Sequence, residues 1–209
     1  EVYKILHWEF PPEDLEFHFD NIPKDYLETV KVEEAALHMR LIRSLKDKSF
    51  IFNHSYHGEG KFHQVILCCP TRFEAFKILV GTLTARSINI LEAKIFVRKD
   101  DIIIISANIE ETERLTVDNL EIWKNLKQDL KNIFEDQKGL PKLLSERTRY
   151  ISEKEIIEGM MPKVKVDNTS DPNFSIVRIE ARDHLGMLYK ISKVFSDLDI
   201  RIHSAKVST

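Results

Sequence analysis

The chain has 209 residues, 31 Lys+Arg against 34 Asp+Glu, a net charge of -3, and 43% hydrophobic residues. This composition excludes a disordered chain and argues against nucleic-acid binding, which wants a concentrated basic surface. No apolar run approaches the ~20 residues needed to cross a bilayer, and the length allows one large domain or two small ones.

The start, Glu1-Val2-Tyr3-Lys4, has neither Met nor the features of a signal peptide. It is expected to be a cut within a longer chain. Residues 1–30 are rich in Pro and aromatics and show no clear period. A helix is expected from Lys31 to Leu45, where Leu37, Leu41 and Leu45 share a face and Glu33 and Glu34 suit the first-turn dipole. Residues 46–60 are polar and end in Gly58-Glu59-Gly60, which reads as a loop and a domain boundary.

A regular pattern follows. Phe62–Cys69 reads as a strand, Thr71–Arg86 as a helix, and Ile88–Arg98 and Ile102–Asn108 as a hairpin turning at Lys99-Asp100-Asp101. Leu115–Phe134 reads as a helix, with Asp118 and Glu121 spaced as a capping box. Residues 135–161 are polar and partly helical around Ser152–Gly159, and the charges of Lys142–Lys154 alternate as on a solvated surface. Strands are expected at Lys163–Val166, Phe174–Ala181 and Ile200–Val207, with a helix at Asp183–Leu198. The adjacent Cys68 and Cys69 point to opposite faces of their strand, so they do not bond each other, which fits a cytoplasmic protein.

The last three elements repeat the first three at an offset of 112 residues. Val65 falls on Val177, Leu67 on Ile179, Phe76 on Leu188, Leu79 on Ile191, Leu83 on Phe195, Ile90 on Ile202 and Lys94 on Lys206. A repeat this widely spaced indicates two copies of a small domain. The first reads βαββαβ if Lys163–Val166 closes it, and the second stops after βαβ. The fold class is therefore α+β, with ferredoxin-like βαββαβ domains in tandem, the second incomplete, behind a short helical N-terminal extension. The boundaries are 1–60 for the extension, 61–168 for the first domain and 172–209 for the second.

Two uses of this arrangement compete. RNA binding needs aromatics on the open sheet face, and Ile102-Ile103-Ile104-Ile105 is aliphatic on both faces. The other use is an ACT regulatory domain. Val164–Asn168, Ser175–Ile179, Asp183-His184-Leu185-Gly186-Met187-Leu188-Tyr189 and Ile202-His203-Ser204-Ala205 together resemble the second ACT domain of the bifunctional PII uridylyltransferase/uridylyl-removing enzymes. Ile88–Asp100 resembles the first ACT domain of that family, and Ile22–Tyr26 with Glu33–His38 is similar to its segment before the ACT pair.

The resemblance implies a glutamine sensor that controls nucleotidyltransferase and HD domains preceding it, and through them the PII protein. It implies no enzyme activity and no cofactor in this stretch, a small amino acid as ligand, and a homo-oligomer with neither nucleic acid nor membrane as partner. No nucleophile–base constellation stands against that. The alternative is an ACT-type dimerisation module with no working ligand site.

The turn Asp183 to Leu188 is the best candidate site. Asp183 is placed to cap a helix, and Gly186 at its third position leaves N–H groups open to a carboxylate; a plain cap with a packing glycine is the competing reading. With the resemblance, the ligand residues are Asp183, His184, Gly186, Met187 and Leu188, completed across a dimer by Ile202 and His203, while Asn89, on the strand after the first copy's helix, matches the family and is placed to hydrogen-bond a ligand at the first copy's site. That family usually has Asp-Arg-Pro-Gly at the first copy's turn. Here stand Thr71-Arg72-Phe73-Glu74, and Thr71 with Glu74 spells a capping box, so this site is expected to be degenerate. His54, His57 and His63 read as a solvated loop rather than a metal site, and Trp123 and Phe134 as core or interface.

Overall fold

The computed structural model describes residues 2–71, 74–111, 119–135, 139–147 and 161–208. The elements run α1 (Val2–Leu6), α2 (Pro12–Asn21), α3 (Tyr26–Thr29), α4 (Val32–Arg43), β1 (Ile51–His57), β2 (Phe62–Pro70), α5 (Ala75–Ala85), β3 (Ile90–Val97) and β4 (Ile102–Glu110). Then come α6 (Leu120–Glu135), α7 (Gly139–Arg147), β5 (Lys163–Asp167), β6 (Ile176–Glu180), α8 (Met187–Asp197) and β7 (Ser204–Ser208). Strands form one five-stranded antiparallel sheet, β1-β2-β4-β3-β7, and one two-stranded sheet, β5-β6. The fold is α+β, and β2-α5-β3-β4-α6 follows the ferredoxin-like path the pattern predicts.

The central strands are apolar on both faces because both faces are covered. Val65, Leu67, Cys69, Ile103 and Ile105 pack beneath α5, α6 and α7. Ile66, Cys68, Phe96 and Ile104 pack on the other side against Leu6, Leu15, Tyr26, Ala35 and Met39 from α1 to α4. Cys68 and Cys69 therefore lie in different cores, neither of them in a disulfide. Each fully buried Ile or Leu side chain here stabilises by roughly 1.5–3 kcal/mol.

The N-terminal extension holds four short helices where periodicity predicts one. Pro12 at the first position of α2 is pre-set for a helix start. Its packing is fixed by a buried polar network. Arg98 makes a two-pronged ion pair with Asp100 and donates to His18 Nδ1 at 2.6 Å. Tyr26 and His38 share a 2.7 Å hydrogen bond. Burial first, then the Arg98 charge, pushes His18 down to about 3, and burial does the same for His38. Both imidazoles are thus neutral.

Two sequence expectations are corrected by the pairing. Residues 51–57 are not loop but β1, which pairs with β2 from Ile51↔Cys68 to His57↔Phe62. Lys163–Val166 does not close the first sheet. It opens a hairpin with β6, from Lys163↔Glu180 to Asp167↔Ile176. The place expected for the closing strand, next to β2, is taken by β1. A four-residue connection closes the β1–β2 hairpin at small entropic cost, whereas β5 would return across a long segment. The two hairpins share one register: Ile51↔Cys68 becomes Lys163↔Glu180 when each residue advances by 112. The structural repeat is therefore ββαβ, one strand longer than the sequence reading.

Candidate functional site

The two repeats meet through equivalent strands. β3 and β7 pair antiparallel, and Lys94 lies opposite Lys206, its counterpart at the 112-residue offset. A local twofold axis thus passes between these lysines. On one face of this seam α5 packs against both α7 and α8. Gly81 permits the approach: a Cβ there would stand 2.9 Å from Leu140 Cδ1 and 3.0 Å from the Tyr189 ring. The twofold creates two related ends, each built from one repeat's β–α turn and the other repeat's strand entry.

The end formed by the first repeat's turn holds a cavity of about 550 Å³. Phe76 of α5, Ile95 and Val97 of β3, Ile103 of β4, and Phe195 and Ile202 of the second repeat give it an apolar floor. Thr71, Lys77, Asp101, Ser192, Ser196, Arg201 and His203 supply polar groups. Phe174 stacks on His203, with ring centroids 4.3 Å apart and planes 16° from parallel. That pose follows from the connection before β6. Asp167 accepts hydrogen bonds from Thr169 and Ser170, which hold its carboxyl well below the usual range. Asp171 accepts from the backbone N–H groups of Asn173 (2.8 Å) and Phe174 (3.0 Å), turning the phenyl ring toward the cavity.

Glu74 links α5 and α8 beside the cavity. Its carboxylate accepts from Lys77 Nζ and from Ser196 Oγ at 2.8 Å, and Lys77 also donates to Ser196 Oγ at 3.1 Å. Burial works to raise the Glu74 carboxyl, but hydrogen bonds from Lys77 and Ser196 outweigh it and hold the carboxyl below its ordinary value. The expected Thr71–Glu74 capping box does not form. Glu74 is itself the residue before α5 and caps nothing with its side chain, while Thr71 Oγ1 donates to the Asp101 carbonyl at 2.9 Å. Arg72 lies outside the described residues.

The other end gathers the second repeat's turn and Asn89. Asn89 Nδ2 reaches Asp183 Oδ2 at 3.5 Å. Asp183 is not the helix cap; α8 starts later, at Met187, after Gly186. Gly186 has φ +83°, a left-handed backbone that by itself favours glycine at this position. His184 Nδ1 lies 3.2 Å from the Arg182 carbonyl, while its Nε2 is buried with no partner among the described residues. Leu188 packs on the main core.

The structure therefore divides the predicted residues between the two ends. Asp183, His184, Gly186, Met187 and Leu188 join Asn89 at one. Within the chain, Ile202 and His203 line the cavity with Thr71 at the other, where Glu74 bonds the lining residue Ser196. The sequence reading missed Lys77, Phe174, Ser192 and Ser196. The small polar pair Ser192 and Ser196, one helical turn apart beside Phe195, is the signal that was available.

The histidines form a layer, not a loop. His54 Nε2 lies 3.1 Å from His63 Nδ1, His54 stacks on Trp123, and His57 stacks on Phe62. Among the described residues no group of three or more His, Cys, Asp or Glu is placed to hold a metal. No helix among them is long and apolar enough to cross a membrane.

Residues 163–209 match the family described as ACR9-like, ACT-like domain. The stretch spans β5, β6, α8 and β7, so the C-terminal repeat is ACT-like, in agreement with the ferredoxin-like fold class. The match overturns the resemblance to the PII uridylyltransferase/uridylyl-removing enzymes, since the family that fits the most resemblant stretch is a different one.

Proposed function

We propose that the chain is a regulatory module that binds a small amino acid or related acid between its two repeats, and that it carries out no reaction itself. The observation that supports this reading most directly is the cavity at the seam, lined from both repeats. A ligand there touches α5 and α8 at once, so its binding energy differs between seam arrangements, which is what regulation by a ligand requires. The N-terminal layer supplies a route outward. Lys94 Nζ donates to the Thr29 carbonyl at 2.9 Å, and Ser204 Oγ bonds the Asp25 carboxylate. A shift of β3 against β7 therefore pulls on α3.

The test is thermal melting of the full chain with each L-amino acid, followed by calorimetry on any that raises the melting temperature. At a hundredfold excess over Kd a ligand adds about 2.7 kcal/mol of stability. Ser192→Phe, which fills the cavity from α8, is expected to keep the fold by circular dichroism and lose the response. A second reading is an association module without a ligand. The Glu74 carboxylate on Lys77 and Ser196 favours it at that end, and it is the conclusion if no amino acid shifts the melting temperature.

A further inference from the structure

The cavity between the repeats joins two unlike chemistries. Its floor is hydrocarbon, with Phe76, Ile95, Val97, Ile103 and Ile202. Beside it, bonded to two of its lining residues, Lys77 and Ser196, stands the carboxylate of Glu74. Both gripping residues line the cavity, so a carboxylate approaching from inside meets the same two donors. The Glu74 side chain is 40% exposed against 16% for Lys77. Glu74 therefore has water to swing into, whereas Lys77 has less freedom to leave.

We infer that this cavity takes a small carboxylic acid with a branched or aromatic apolar side chain, and that the ligand's carboxylate displaces Glu74 from Lys77 and Ser196. This rests on the ligand-binding reading above and narrows it. The side chain lies on the aliphatic floor, where a glutamine amide would surrender its water without gaining hydrogen bonds. A cavity of about 550 Å³ accommodates such a molecule. An α-amino acid and a 2-oxo acid share this chemistry. They differ in the ammonium group, for which Asp101 at the cavity wall is the available anion.

The experiment is calorimetry on the full chain with L-phenylalanine, phenylpyruvate and L-glutamine. Each is titrated into the natural sequence, Glu74→Gln, Glu74→Ala and Lys77→Met. Either aromatic acid is expected to bind more tightly than glutamine. Both Glu74 variants are expected to tighten it by about tenfold, because a charge-assisted competitor is gone. Lys77→Met is expected to abolish binding while the circular dichroism spectrum is kept. Phenylalanine exceeding phenylpyruvate identifies the amino acid, and the reverse identifies the oxo acid. Unchanged or weaker binding in both Glu74 variants, or tighter binding of glutamine, overturns this inference and leaves the ligand-binding reading standing. Absence of binding in every titration overturns both.

Discussion

The two repeats share a path and a register but not a burial. Val65 on β2 is fully buried, while its counterpart Val177 on β6 is 37% exposed. The difference is one strand. In the first repeat β4 lies between β2 and β3 and pairs with both. Among the described residues β6 pairs with β5 alone and β7 with β3 alone. Val164, Val166, Ile176 and Val177 consequently stay exposed on the β5–β6 hairpin. A hairpin and a helix suffice to set register and turn geometry, since these depend on neighbours in sequence. Burial depends on the strand that comes between.

The largest expected effect uses equivalent positions. Leu79→Ala removes a fully buried side chain from α5 and should cost about 3 kcal/mol or more, whereas Ile191→Ala on half-buried α8 should cost about 1 kcal/mol. Urea denaturation followed by Trp123 fluorescence measures the first, and circular dichroism both. Equal costs would mean that the second repeat is as tightly packed as the first.

Acid should separate the halves next. His18 and His38, in the N-terminal layer, sit near 3 when folded against 6.5 when unfolded. The unfolded chain therefore binds protons first as pH falls. Stability from these groups is complete above pH 6.5 and declines as pH drops from there toward 3. Between pH 6.5 and 5 each contributes a loss of roughly 1.5 kcal/mol. His184 is half-buried and His203 exposed in the second repeat. Urea midpoints against pH should fall for the natural chain and fall less for His18→Asn/His38→Asn. Parallel slopes would remove the buried imidazoles as the cause.

How much of this was legible in the sequence follows the same division. Short apolar runs bounded by turn residues placed β2, β3 and β4, and the offset of 112 exposed the repeat, because strands covered on both faces demand apolar residues at successive positions. β1 was not legible by pattern. Every residue from Ile51 to Tyr56 is half-buried, so neither face demands an apolar set, and Asn53, His54 and Ser55 read as loop. The repeat itself held the missing clue, since β1 advanced by 112 falls on β5. The helices α1 to α3 escaped because they are short and are fixed by packing on the sheet. At the site, the Asp183 turn was found, but its partner Asn89 and the grouping of Ile202 with Thr71 depend on how β3 meets β7. No local pattern encodes that.

The turns give a smaller contrast. Gly186 and Glu74 occupy equivalent positions, yet Gly186 has φ +83° and Glu74 φ -117°. Gly186→Ala should cost about 1–2 kcal/mol through left-handed strain, with its Cβ also 3.0 Å from Thr84 Cγ2. Glu74→Ala should cost less, about 1 kcal/mol, since it loses a partly exposed ion pair and the hydrogen bond from Ser196. Melting temperatures of the two variants decide it, and the reverse order would place the strain in the first turn.

The smallest expected difference lies on the twofold axis itself. Lys94 and Lys206 face each other across the seam, and symmetry alone would make them interchangeable. The N-terminal layer breaks that symmetry. Lys94 is 20% exposed and bonds the Thr29 carbonyl, while Lys206 is exposed. Lys94→Met should cost about 1 kcal/mol, the value of one charge-assisted hydrogen bond offset by the methionine's packing. Lys206→Met should leave the urea midpoint unchanged. Equal responses would show that α3 does not hold the seam, and would remove the route by which a ligand between the repeats reaches the N-terminal helices.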